Sequence, residues 1–142
     1  MREYKVWSSV IDLGLRNGWK ILGACPPGGS VYAYNRCCLI DQATGKRDEP
    51  DIMFASSTTL IIVECKPRLS QLIKKASASN EESDIEKLLR IYDNYMAGKY
   101  REQLLQNYDL NQDSYEIKLA IGYAKGKKDP AFCDDRFHLF AI

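Results

Sequence analysis

Four branched apolar residues in a row, Leu60-Ile61-Ile62-Val63, run straight into Glu64-Cys65-Lys66. Such a run has no alternation and so offers no polar face to water, which predicts a central β-strand over 60–66 covered by helices on both sides. Two charges at the end of that strand are unusual. Because side chains alternate along a strand, Glu64 and Lys66 share one face, about 6.6 Å apart along the chain, and Cys65 points to the other.

The rest of the chain supplies elements to pack around this strand. Trp7, Val10, Ile11, Leu13 and Leu15 followed by Gly18 predict an amphipathic helix over 3–17 with a glycine stop. Trp19 to Gly23 is a short strand start, Pro26-Pro27-Gly28-Gly29 a turn, and Val31 to Ile40 a longer strand. The polar stretch Asp41 to Glu49 reads as a link. A strand from Asp51 to Ala55 is joined to the central one through Ser56-Ser57-Thr58-Thr59. Pro67 suits the opening turn of a short helix over 68–76. A polar loop over 76–83 and a helix N-capped at Asp84 follow, with apolar positions from Ile85 to Leu105 and Gly98 as an interruption. Tyr115 to Tyr123, with Ile117, Leu119 and Ile121 on one side, and Phe137 to Ile142 are the last strands. The expected fold class is α/β: a mixed central sheet of four to six strands flanked by helices, in αβββαβ order, as one domain over 1–142.

Composition narrows the function classes. Twenty Lys and Arg against nineteen Asp and Glu give a formal charge of +1, so only local patches can carry nucleic-acid affinity. The chain has no long apolar span, and its start lacks a signal-peptide pattern, so a cytoplasmic location is expected. Five cysteines without zinc spacing read as reduced, mostly buried thiols.

Glu49-Pro50-Asp51, twelve residues, then Glu64-Cys65-Lys66 is the constellation that carries chemistry. If the hairpin is centred between Ser57 and Thr58, Asp51 lies directly opposite Glu64, with Cβ atoms about 4.5 to 5.5 Å apart. One hard cation, Mg²⁺ or Mn²⁺, can bridge two such carboxylates, and the backbone carbonyl of Cys65 offers a further ligand. Lys66 beside them would hold or deprotonate an attacking water and steady charge on a phosphoryl oxygen, which makes the reaction metal-assisted phosphodiester hydrolysis. Lys125, Lys127 and Lys128 around Gly126 form a basic loop that either contacts phosphate, extended by Arg68 and Lys75, or is only solvated. Tyr92 and Tyr95 follow the apolar stripe and read as core, and His138 as a strand residue.

Pro50-Asp51 and Glu64-Cys65-Lys66, on a hairpin between two helices, resemble the PD-(D/E)XK nucleases, the restriction-endonuclease-like superfamily, over roughly residues 1–123. The resemblance implies Asp51 and Glu64 as metal ligands and Lys66 as the catalytic lysine. It also implies an acid from the first helix. Glu3, on one face with Trp7 and Ile11, fits that role or is a solvated charge, and Glu49 is a second candidate. Gln71 and Lys74 stand where such enzymes place a polar substrate contact, or simply in a solvated turn. DNA is the substrate the resemblance implies, with RNA or a non-catalytic nucleic-acid-binding or assembly role as alternatives, and a homodimer is a further expectation.

Overall fold

The computed structural model of the protein describes residues 2–27, 34–74 and 82–142. Helix α1 spans Glu3–Arg16 and buries Val6, Trp7, Val10, Ile11 and Gly14. It stops where Gly18 takes φ +77°, a left-handed conformation that an L side chain resists. Strand β1, Lys20–Ala24, leads back along the sheet. Two short strands, β2 (Leu39–Ile40) and β3 (Arg47–Asp48), pair only with each other as a separate antiparallel ribbon. The β4 strand, Ile52–Ala55, and β5, Thr59–Cys65, form the central hairpin. Then come α2 (Leu69–Ile73), α3 (Asp84–Met96), α4 (Arg101–Tyr108), β6 (Glu116–Tyr123) and β7 (Phe137–Ala141).

The main sheet has the order β1-β4-β5-β6-β7. β1, β4 and β5 are antiparallel neighbours, whereas β6 and β7 run parallel to β5. The sheet is therefore mixed and five-stranded, with β5 in its centre, as the unalternating apolar run requires. Leu60 and Ile62 face a core built with Leu69, Leu72, Leu88, Ile91, Tyr95 and Leu104 from the three later helices. Ile61, Val63 and Cys65 face the opposite core, built with Val6, Trp7, Val10 and Ile11 of α1. Burying each such aliphatic side chain contributes about 1.5 to 3 kcal/mol. The alternation that splits β5 between two cores also decides which side of the sheet its terminal charges occupy.

Several expectations need correction. No strand runs from Val31 to Ile40: 31–33 lie outside the described residues, and only Leu39–Ile40 is extended and paired. Cys37 and Leu39 are nevertheless buried, for another reason. The Ala24 amide bonds to the Asn35 carbonyl, and Cys37 and Leu39 then pack into the helical-side core without joining the sheet. The polar link 41–49 contains β3, because Asp48 is buried against Arg90. Ser83, not Asp84, caps α3: its hydroxyl accepts the Glu86 amide while the Glu86 carboxylate accepts the Ser83 amide. Gly98, at φ +75°, splits the long helical pattern into α3 and α4. Residues 28–29 of the turn at 26–29 and 76–81 of the loop at 76–83 lie outside the described residues, as does Lys75.

Other expectations agree with the structure. Tyr95 is buried, its hydroxyl donating to the carbonyls of Gln112 and Tyr115, and Tyr92 packs at the margin of the same core. His138 is an exposed residue of the edge strand β7, against Phe140. All five cysteines are unpaired, but only Cys37 and Cys65 are buried; Cys25 and Cys38 are partly exposed and Cys133 is exposed, so fewer are buried than expected. No helix among the described residues is long and apolar enough to cross a membrane.

Gly14 lies where α1 crosses β4, and a Cβ built there would stand 2.4 Å from the Phe54 ring. Helix propensity alone favours alanine at this position by about 1 kcal/mol. The close approach reverses the sign, so Gly14→Ala is expected to lower stability by about 1 to 3 kcal/mol in chemical denaturation. A stabilised variant would mean that the helix can lift off the sheet without cost.

Candidate functional site

The site is assembled at the end of the β4–β5 hairpin. Ser56 donates its amide to the Thr59 carbonyl across a tight reversal at Ser57 and Thr58. The pairs Ala55 with Leu60 and Ile52 with Val63 follow from it. Continuing that register by one pair sets Asp51 opposite Glu64, as the sequence predicted. Hydrogen-bonded and open pairs alternate along an antiparallel ladder, so this pair falls at an open position, where facing side chains approach closest.

Asp51 is held from three directions. Its carbonyl accepts the Trp7 indole N–H at 3.1 Å and the Cys25 amide at 2.8 Å, so α1 and the residue just after β1 fix its backbone. Its Oδ2 accepts the Cys65 amide at 2.7 Å. A strand residue in such a ladder directs its N–H and C=O to the same side, so the Cys65 carbonyl is directed towards the Asp51 side as well. The Cys65 thiol packs in the α1-side core, fully buried, and burial pushes its pKa up, away from any nucleophilic role.

Glu64 is only 3% exposed. Burial pushes its carboxyl well above the ordinary range and the neighbouring Asp51 pushes it further, while the Lys87 ammonium pulls the other way. Lys87 Nζ lies 2.5 Å from Glu64 Oε1, a close and largely buried ion pair. Lys87 also donates to the Glu49 carbonyl at 3.0 Å.

Lys66 continues the parallel ladder, its amide bonding to the Gly122 carbonyl, and its side chain reaches Glu3 Oε1 at 3.1 Å. Burial works to lower the Lys66 pKa, but the Glu3 hydrogen bond and the charges of Asp84, Glu3 and Asp51 outweigh it, and the net shift is upward. Asp84, on the first turn of α3, is pushed up by burial and by Asp51, against the pull of Lys66 and Lys87. Four carboxylates (Glu3, Asp51, Glu64, Asp84) thus surround two ammonium groups, a formal excess of two negative charges.

Among the described residues, no group of three or more His, Cys, Asp or Glu side chains is arranged to hold a metal ion. Two carboxylates and a backbone carbonyl are nevertheless a donor set that suits Mg²⁺ or Mn²⁺, which bind through one or two carboxylates and keep several waters. The fit rests on the buried Glu64 carboxyl beside Asp51, two acids whose mutual repulsion a divalent cation would relieve.

Other expected residues fall into two groups. Arg68, Lys127 and Lys128 line one groove with Ser70, Gly126 and Asp129, about 480 Å³ in volume, at the same end of β5 and β6 as the acids. Gln71, Lys74 and Lys125 are exposed, and the Gln71 side chain accepts the Arg68 amide at the start of α2. Glu49 turns its carboxylate to Arg36 at 2.6 Å and contributes only its carbonyl nearby. A cavity of about 570 Å³ lies at the far end of β5 on the α1 side, lined by Leu13, Trp19, Ile61 and Phe140 among others, remote from this chemistry.

Lys87 and Asp84 are the site residues that sequence reasoning missed. A signal for Lys87 was present: it precedes the buried Leu88 directly and stands four residues before the buried Ile91, so it lies on the inward edge of α3. The chain matches no known family, no curated protein and no solved structure in the comparisons made.

The raised Glu64 carboxyl has a consequence for stability. Between the ordinary glutamate value of 4.5 and its higher value in the fold, the folded protein holds a proton that the unfolded chain has released. Stability therefore falls as pH rises through that window, and Asp84 acts in the same direction. Glu64→Gln cannot ionise, so urea melts at stepped pH in the absence of metal should show the wild type losing stability relative to the variant as pH rises. A constant difference between the two would contradict this account.

Proposed function

We propose that this chain is a Mg²⁺- or Mn²⁺-dependent nuclease of the PD-(D/E)XK type, acting on DNA in preference to RNA. The observation that carries the reading is the hairpin register, whose continuation by one pair beyond Ile52 and Val63 sets Asp51 opposite Glu64, with Lys66 two residues further on just past β5. Helix, antiparallel hairpin, helical crossover and parallel strand, in that order, support assigning the core to the restriction-endonuclease-like fold.

Asp51, Glu64 and the Cys65 carbonyl would hold the cation. When bound, it supplies Lewis-acid activation of water and charge neutralisation at the phosphate. Lys66, whose upward pKa shift keeps it protonated at neutral pH, acts as a fixed positive donor toward a phosphoryl oxygen and not as a base. Glu3 orients that ammonium group, a different role from the metal ligand expected of it. Arg68, Lys127 and Lys128 bind a flanking phosphate in the groove beside the site.

A non-catalytic nucleic-acid-binding subunit is the second reading, favoured by the Lys87–Glu64 ion pair, in which an ammonium group stands against a proposed metal ligand. Plasmid and labelled RNA incubated with protein and Mn²⁺ separate the two. Asp51→Ala and Lys66→Ala are each expected to lower cleavage by on the order of 10²-fold or more, while Cys65→Ala keeps it. Arg68→Ala and Lys128→Ala should weaken DNA binding across sequences and each reduce the salt dependence of binding by about one unit of slope. Cleavage that survives both site substitutions would belong to another centre.

A further inference from the structure

We infer that Lys87 is a built-in counter-ion that competes with the divalent cation for Glu64, so that metal binding requires its ammonium group to move off that carboxylate. The inference rests on the metal-dependent reading of Asp51 and Glu64 given above. Lys87 Nζ and Glu64 Oε1 are 2.5 Å apart, and the two side chains are 23% and 4% exposed. Two positive centres cannot both occupy so short an approach to one carboxylate oxygen without strong repulsion.

The geometry also supplies the route of release. Lys87 donates to the Glu49 carbonyl at 3.0 Å, on the chain just before Asp51, so it has a second anchor when its contact with Glu64 is lost. Lys66 does not share this role, because its ammonium group is turned to Glu3. The flexible four-carbon stem of lysine allows such a shift, whereas a planar guanidinium at this position would pair more rigidly with the carboxylate. In the absence of metal the same ammonium group offsets the repulsion between Asp51 and Glu64, which otherwise opposes folding.

Lys87→Met removes the competitor. Mn²⁺ affinity, measured by calorimetry and by electron paramagnetic resonance of free Mn²⁺ without nucleic acid, is expected to rise about tenfold, the effect of one pKa unit of charge interaction. The metal-free melting temperature of the variant should fall, and its increase on adding Mn²⁺ should exceed that of the wild type. Lys87→Arg, which keeps the charge and is expected to fold as the wild type does, should bind Mn²⁺ no more tightly than the wild type. This variant decides the matter if Lys87→Met does not fold, because tighter binding by Lys87→Arg overturns the inference. Equal or weaker Mn²⁺ binding by a folded Lys87→Met overturns it as well, while leaving the metal-dependent reading intact. Absence of Mn²⁺ binding in both wild type and Lys87→Met removes the metal-dependent reading and this inference together.

Discussion

The register of one β-hairpin is the constraint on which the remaining structure depends. A slip of one residue between β4 and β5 would turn Glu64 and Lys66 into the α1-side core and expose Val63 and Cys65 to the other side. It would also separate Asp51 from Glu64. The tight reversal at Ser57 and Thr58 and the two apolar faces of β5 specify the same register, so local turn geometry and core burial agree. The charged cluster at the strand end follows from this agreement.

Around that hairpin, each layer fixes one part of the site. Helix α1 covers one face of the sheet and carries both the Trp7 hydrogen bond to Asp51 and the Glu3 contact to Lys66. Helix α3 covers the other face and brings Asp84 and Lys87 to the acids from its first turn. Arg90 pairs with Asp48 of β3 and with Glu82 just before α3, and so holds the helix against the β2–β3 ribbon. The site is thus a junction of both layers, and its charges are balanced by residues far apart in sequence.

The sheet and the acidic pair were legible in the sequence because they depend on short-range rules. Leu60 to Val63 without alternation placed β5 in the centre, and the turn at 57–58 placed Asp51 against Glu64. The ribbon at Leu39–Ile40 was not legible, because strand-like composition cannot distinguish a long strand from an irregular segment whose side chains happen to be buried. The N-cap moved by one residue, since Ser83 and Asp84 are both good caps and only the reciprocal bond with Glu86 decides between them. Lys87 was missed for a further reason. A lysine on the margin of an amphipathic helix looks solvated until the opposite layer is known to present a buried carboxylate.

Placing two acids face to face has a cost during folding itself. Like charges directly opposed in an antiparallel pair weaken it. The nascent hairpin, with only local contacts to support it, therefore carries its own electrostatic opposition at the open end. Relief comes from Lys87, twenty-three residues beyond Glu64, once α3 has docked. Cohesion of the central strand pair is in this way coupled to a later helix, and the chain closes its most charged corner only as the second layer of the fold settles into place.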